Sequence, residues 1–160
     1  MTRKHHLRRY IVLTLTATML SWAAASPALA HDDAYLDTVK APHGGQLRMA
    51  GPVHLELVLS KTPPEAQDKP AAVYVTDHAG NKQSTAGASG TITILYGKTK
   101  VSAPLTPDGD NKLSAQAVYA ATPDLKAIVS VTLAGQVAQQ ARFTPFASKD
   151  NAHSDHAEHH

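Results

Sequence analysis

Residues 53–59 alternate between apolar and polar side chains over the length of a β-strand. The segment reads V-H-L-E-L-V-L, and successive side chains of a strand point to opposite faces. One face is therefore wholly apolar and suits a hydrophobic core, whereas the other presents His54 and Glu56 together. A chain with this segment has to form a sheet in which one face of this strand is buried.

Short segments rich in β-branched and apolar residues recur along the chain and are separated by turn residues about every 8–12 positions. The predicted strands are 46–50, 53–59, 71–76, 91–96, 99–105, 113–119, 127–133 and 137–143. Residues 61–70 hold three prolines and several charges, which predict a loop. No segment keeps the period of an amphipathic helix. This pattern is typical of an all-β sandwich or barrel.

The first 30 residues have the composition of a cleavable export signal. Four basic residues precede position 10, an apolar run extends to about residue 25, and Ala28-Leu29-Ala30 forms a small-residue cleavage site. The alternative is an uncleaved membrane anchor, but the apolar run is short against the ~20 residues that span a bilayer. We expect cleavage after Ala30, export to the periplasm and no membrane insertion. The mature chain then has an N-terminal arm (31–40), one β-sandwich domain (41–146) and a disordered tail (147–160).

Composition excludes several classes of function. Cleavage removes four basic and no acidic residues, which leaves 11 basic against 13 acidic residues and no basic stripe for nucleic acid. The chain has no cysteine, so thiolate metal sites and thiol catalysis are excluded. No G-x-S-x-G nucleophile motif is present. We therefore expect a protein that is not an enzyme.

Histidines are the residues of this chain that could bind a ligand. His54 and Glu56 share one face of a strand, so both could approach one metal ion, or Glu56 could orient the His54 imidazole as a hydrogen-bond acceptor. His43 precedes Gly44-Gly45, which lets the backbone bend sharply around the imidazole. His78 lies in a turn after a strand. The structural alternative is an exposed cross-strand pair at His54 and turn histidines at the other two positions.

Cleavage after Ala30 would give His31 a free α-amine beside its imidazole. These two nitrogens can chelate one Cu(II), and a third nitrogen from His43 or His54 would complete a histidine brace. Met49 is the only methionine outside the predicted leader, so a methionine-rich Cu(I) site is not expected. We expect Met49 to pack within its strand, where it could also be one weak donor.

The last eight residues read H-S-D-H-A-E-H-H and form a histidine-rich tail. Its histidines are His153, His156, His159 and His160. Flexible tracts of this kind can collect Zn, Cu, Ni or Co without a preformed pocket. The alternative is a polar terminus with no role in binding.

Four segments resemble a small periplasmic β-sandwich module found in adaptor proteins of heavy-metal efflux systems and in stand-alone exported proteins. They are A-P-H-G-G-Q-L at 41–47, G-P-V-H-L-E-L-V at 51–58, V-Y-V-T-D-H-A-G at 73–80 and A-R-F at 141–143. The resemblance implies an immunoglobulin-like β-sandwich of about seven to eight strands. It also implies the handling of copper, zinc, cobalt or nickel outside the cytoplasm. No coiled-coil hairpin and no lipoyl-type or barrel domain of the adaptors is recognisable in residues 1–160, so we do not expect this chain to bridge a pump to a channel by itself.

These observations predict a periplasmic transition-metal carrier or buffer in metal homeostasis or resistance, with Cu(II) or Zn(II) as the expected ion. The alternative is a structural or interaction module that docks on a heavy-metal efflux complex of the cell envelope, with incidental histidines. A copper oxidase or oxygenase built on the brace is a third reading, but the sequence shows no aromatic platform for a substrate.

Overall fold

Eight antiparallel β-strands make up almost all of the regular structure in the computed structural model, which describes residues 33–148. The strands are β1 (Gln46–Ala50), β2 (Val53–Leu59), β3 (Gln67–Asp77), β4 (Ser89–Tyr96), β5 (Thr99–Pro107), β6 (Lys112–Tyr119), β7 (Lys126–Thr132) and β8 (Gln139–Phe143). Each predicted strand is present, and the expectation of an all-β fold is confirmed.

The strands form one nearly closed sheet in the order β1-β2-β3-β6-β5-β4-β7-β8. β5 pairs with β4 along most of its length, whereas only Thr106 and Pro107 pair with β6. The two ends of the sheet approach each other, because the Thr144 N–H after β8 donates to Gln46 Oε1 in β1 at 2.8 Å. The curled sheet therefore encloses one core and leaves few open strand edges.

The core contains the apolar faces that the alternating pattern predicts. Leu55 and Leu57 of β2 are 0 % exposed and belong to the same buried cluster as Ile92, Leu113 and Phe143. Burying aliphatic and aromatic side chains of this size provides about 1.5–3 kcal/mol each, so this cluster is the main source of stability. The inward face of β2 is thus fixed by the core, which also fixes which residues point outward.

Two local predictions were wrong. Gln67–Pro70, predicted as loop, begins β3 and pairs with β6. Pro70 is tolerated because β2 pairs with β3 only from Ala71 onward, so the missing proline N–H faces no strand on that side. A short helix, α1 (Asp33–Leu36), also forms in the N-terminal arm. Four residues are too few to show a helical period in the sequence.

Some predictions fall outside the described residues. The export signal, His31 and the four tail histidines lie beyond residues 33–148, and they stay predictions. Within those residues, no helix has the length and apolarity needed to cross a membrane.

A buried tyrosine joins the long loop after β2 to the end of the sheet. The Tyr119 hydroxyl accepts a hydrogen bond from the Ser60 N–H at 2.8 Å and donates to the Pro70 carbonyl at 3.1 Å. Its ring is 0 % exposed, and burial raises the pKa of the hydroxyl above its ordinary value. Both backbone groups therefore depend on one hydroxyl for their hydrogen bonds.

Replacing Tyr119→Phe should lower the free energy of unfolding by about 1–3 kcal/mol, because two backbone groups lose their buried partner. Urea denaturation followed by circular dichroism measures this change. Tyr96→Phe is the matched control, since Tyr96 is only partly buried, and it should stay within about 0.5 kcal/mol of the wild type. Equal stability of the two variants would contradict the assignment.

Candidate metal site

The outer face of β2, predicted to be polar, is covered rather than open to solvent. His54 is 9 % and Glu56 only 3 % exposed. The described residues of the N-terminal arm, 33–40, lie over this face and leave a cavity of about 300 Å³ between the arm and the sheet. Leu36 of the arm is buried beside this cavity. The described residues of the arm therefore lie against the domain.

Arg48 of β1 attaches the N-terminal arm to the sheet. Its Nη1 and Nη2 donate to the two carboxylate oxygens of Asp37 at 2.7 and 3.2 Å. Its Nε lies 3.6 Å from Asp33 Oδ2, and Gln46 adds a hydrogen bond to Asp37 at 3.3 Å. Two parallel N–H···O bonds fix an arginine–carboxylate pair in orientation as well as in distance. The arm is therefore held at one defined place on β1.

Glu56 is a buried carboxylate that receives three hydrogen bonds from the turn before β1. Its Oε1 accepts from the His43 N–H at 2.8 Å and from the Gly45 N–H at 3.0 Å. Its Oε2 lies 2.8 Å from His43 Nδ1, so the imidazole donates through Nδ1–H to the carboxylate. A buried carboxylate without such donors would be strongly destabilising, and here donors occupy both oxygens.

Gly45 brings this turn close enough to β2 for its N–H to reach Glu56. A Cβ atom at position 45 would collide with the Leu57 carbonyl and lie 2.9 Å from Val58 Cγ2. Gly44 adopts a φ of +76°, a conformation that glycine accepts without strain. Each glycine of the H-G-G sequence therefore meets a specific structural requirement, a positive φ at Gly44 and a close approach to β2 at Gly45.

The His43 imidazole is held in a fixed orientation. It stacks on the Tyr74 ring of β3 with the centroids 3.5 Å apart and the planes 2° from parallel. Because its Nδ1–H points to Glu56, the lone pair of a neutral ring is on Nε2. The His43 side chain is 39 % exposed. A carboxylate that orients a histidine in this way is common beside metal ions in proteins.

A second group of donors lies two residues back along β2. His54 Nε2 is 3.1 Å from Met49 Sδ in β1, and the His54 ring lies 4.9 Å from the His78 ring between centroids. His78 follows β3 in a turn, and its Nε2 lies 3.1 Å from the Gly51 carbonyl oxygen. The three side chains meet beside the β1–β2 hairpin turn.

The structure divides the predicted donors into two pairs that border the same cavity. Glu56 contacts His43 rather than His54, so the predicted approach of His54 and Glu56 to one ion is replaced by His43–Glu56 and His54–His78. Among residues 33–148, no three histidine, aspartate or glutamate side chains lie close enough together to hold one metal ion. A complete site therefore needs a donor of another kind or from elsewhere.

Two residues of the site were not recognised as such in the sequence. The sequence predicts Tyr74 only as a strand residue. Its stacking on His43 depends on the pairing of β2 with β3, which the sequence does not show. Met49 was noted only as a weak donor, although a two-residue turn at Gly51-Pro52 places it directly opposite His54. The signal for Met49 was thus present in the turn length, whereas none was present for Tyr74.

Comparison of the chain with protein-family models, with curated protein sequences and with solved structures gave no match. The resemblance to efflux-adaptor modules therefore depends on the four sequence segments quoted above. Function has to be argued from the donors and the cavity themselves.

The attachment of the arm can be tested with Arg48→Met, which keeps an unbranched apolar stem and removes the charged guanidinium group. We expect the amides of Asp37, Thr38 and Val39, which are hydrogen-bonded within the arm, to exchange about tenfold faster. Hydrogen exchange measured by NMR gives the rates. Arg142→Met, at an exposed position of β8, is the matched control and should leave them unchanged. Unaltered arm amides in Arg48→Met would show that Arg48 does not hold the arm.

The turn that presents His78 depends on Asp77. A hydrogen bond from the Asn81 side chain, with further bonds from backbone N–H groups of the turn, holds the pKa of the Asp77 carboxyl below its ordinary value. The folded pKa is the lower one, so this contribution to stability is present above the unfolded pKa of about 3.9 and is lost as pH falls through the folded pKa.

Between about pH 5 and about pH 2, the Ala79 and Asn81 amide resonances should therefore titrate with a midpoint below about 3.9. Two-dimensional NMR of the wild type measures the midpoint. Asp77→Asn should abolish this titration. A midpoint at or above the ordinary value would refute the role of Asp77 in the turn.

Proposed function

We propose that this protein binds transition-metal ions in the periplasm and acts as a carrier or buffer in metal homeostasis or resistance. The expected ions are Cu(II) or Zn(II), both of which accept imidazole ligands. The protein performs no catalysis in this proposal. Its binding region is the cavity beneath the N-terminal arm.

The hydrogen bond from His43 to the buried Glu56 supports this proposal most directly. A buried carboxylate is costly to place in a sheet, and an apolar residue of similar size would pack there without hydrogen bonds. Here the carboxylate fixes one imidazole tautomer and directs the lone pair of Nε2 away from itself. Metal-binding histidines commonly have this arrangement, because it fixes the tautomer whose lone pair is on the ligating nitrogen and orients the ring.

The His54–His78 pair in the same cavity adds further nitrogen donors. A carrier has to release its ion. A site with only a small number of protein ligands and with open coordination positions exchanges its ion more readily than a fully coordinated site. In this proposal the tail histidines and His31 capture ions and deliver them to the cavity. Tethering to the domain raises their local concentration there.

We also propose that the eight strands form an immunoglobulin-like sandwich and that the protein is exported to the periplasm. The strands β1, β2, β3 and β6 would form one layer and β5, β4, β7 and β8 the other layer of an immunoglobulin-like sandwich. The short pairing of β5 with β6 supports such a division. The composition of the first 30 residues supports export, followed by cleavage after Ala30.

Titration of the chain from His31 to His160 with Cu(II), Zn(II) and Ni(II) tests the proposal. Glu56→Gln keeps the size of the side chain but replaces one acceptor oxygen by a donor, so it misorients His43. It should lower the affinity of the domain site about 10- to 100-fold. Glu65→Gln, at an exposed glutamate of the loop after β2, is the matched control and should bind as the wild type does.

Affinity should also fall as the pH is lowered, because protons compete with the metal for imidazole nitrogen. Wild-type binding no tighter than that of an unstructured histidine peptide would refute the proposal. In that case the docking alternative becomes the better one, and a His43→Ala/His54→Ala variant should still bind an envelope complex.

A further inference from the structure

Met49 and His54 face each other across a two-residue hairpin turn. They are direct partners in the register of β1 with β2, and Met49 Sδ lies 3.1 Å from His54 Nε2. Ala50 and Val53 close the ladder next to them, so the core holds the register of this pair. The sulfur and the nitrogen are therefore kept together by the fold itself.

His78 reaches the same place from the other side of β2. His54 is paired with Thr76 of β3, and the chain then turns so that the His78 ring lies 4.9 Å from the His54 ring. Two imidazoles bound to one ion at a near-tetrahedral angle have centroids about 5 Å apart, given metal–nitrogen bonds of about 2.0 Å. The separation of the two rings thus matches a shared ion.

Within this group of three, no donor is a hard oxygen of a carboxylate. Glu56, the acidic residue nearest along β2, receives hydrogen bonds from His43 and Gly45 at both of its oxygens. A thioether is a soft ligand that selects Cu(I), and imidazole also binds copper. Zn(II) sites use thiolate, imidazole and carboxylate instead, and this group supplies only the second of these.

We propose that Met49, His54 and His78 form a Cu(I)-binding site, separate from the His43–Glu56 pair. The inference rests on the proposed function in that it assigns a metal, an oxidation state and three ligands, of which His54 and His78 line the same cavity and Met49 contacts His54. The sulfur to nitrogen separation of 3.1 Å is spanned by an ion with bonds of about 2.3 Å to sulfur and 2.0 Å to nitrogen. Three neutral ligands suit a monovalent cation, since they add no charge.

Three small changes accompany binding: His78 gives up the hydrogen bond from its Nε2–H to the Gly51 carbonyl oxygen, and the other two concern the His54 proton and the orientation of the rings. A thioether has no proton, so a hydrogen bond between Met49 and His54 needs the proton on Nε2, and binding of Cu(I) at Nε2 moves that proton to Nδ1. The two rings are 21° from parallel, so one of them has to rotate about its Cβ–Cγ bond for both to face the ion. His78 is exposed, and this torsion is broad for histidine, so His78 is the ring that turns.

The experiment measures Cu(I) affinity of the chain from His31 to His160 under anaerobic conditions, in competition with a chromophoric Cu(I) chelator. Met49→Leu keeps the volume of the side chain and removes the sulfur, so Cu(I) affinity should fall at least about tenfold while Zn(II) affinity changes less than about twofold. His78→Ala, at an exposed position, should lower Cu(I) affinity to a similar degree. The tail and His31 are the same in every variant and cancel in the comparison.

The matched control is the double variant Leu47→Met/Met49→Leu. It keeps one methionine in β1 but moves the sulfur from opposite His54 to opposite Glu56. It should bind Cu(I) no better than Met49→Leu does. Copper K-edge absorption of the wild type should show one sulfur neighbour at about 2.3 Å, which the double variant should lack.

Each other outcome is decisive. If the wild type binds Zn(II) or Cu(II) but binds Cu(I) no tighter than Met49→Leu does, the Cu(I) site is refuted and the proposed function stands. Equal Cu(I) affinity of the wild type and the double variant also refutes it, because the position of the sulfur would then not matter. If no ion binds more tightly than it binds a histidine peptide, the proposed function fails and the Cu(I) site with it.

Discussion

The buried carboxylate of Glu56 is the group on which the arrangement of the site depends. A charged or polar group can stay 3 % exposed in a sheet only when donors satisfy it. All three of its donors come from residues 43–45, so the turn before β1 has to lie against β2. Gly45 permits this close approach, and the turn in turn determines where the preceding arm crosses the sheet. The hydrogen bonds of Glu56 and the Arg48–Asp37 pair together therefore place the turn and the arm that border the cavity.

The alternation of apolar and polar residues was enough to predict each strand and the all-β class, because the side-chain period of a strand is local information. The pattern could not show that the arm covers the second face of β2. His54 and Glu56 are polar, so local sequence assigns them to solvent, whereas their burial depends on residues some 20 positions earlier. The start of β3 was missed for a related reason. Pro70 argues for a loop unless one knows that β2 ends beside it.

The contacts of the candidate site differ in how far they could be predicted from the sequence. The sequence pairs Glu56 with His54 on the same strand face, whereas in the structure the imidazole that contacts Glu56 is that of His43. The pairing of Met49 with His54 can be counted from the two-residue turn at Gly51-Pro52, whereas the sequence prediction paired His54 with Glu56. His78 could not be placed at all from sequence, because its position depends on the turn that Asp77 and Asn81 hold together.

The donor groups around positions 54 and 56, on the same face of β2, thus differ in chemical type. The Glu56 carboxylate contacts the oriented His43 imidazole, which stacks on the Tyr74 ring. This group suits a divalent ion or a hydrogen-bonding ligand. At position 54 the neighbours are a thioether and a second imidazole, which suit a soft monovalent ion. The separation follows from strand pairing, because β1 presents Leu47 opposite Glu56 and Met49 opposite His54. Exchanging those two β1 residues would give Glu56 the sulfur and leave His54 with a leucine, so in the proposed function the register of a single hairpin would set which ion each pair of donors binds.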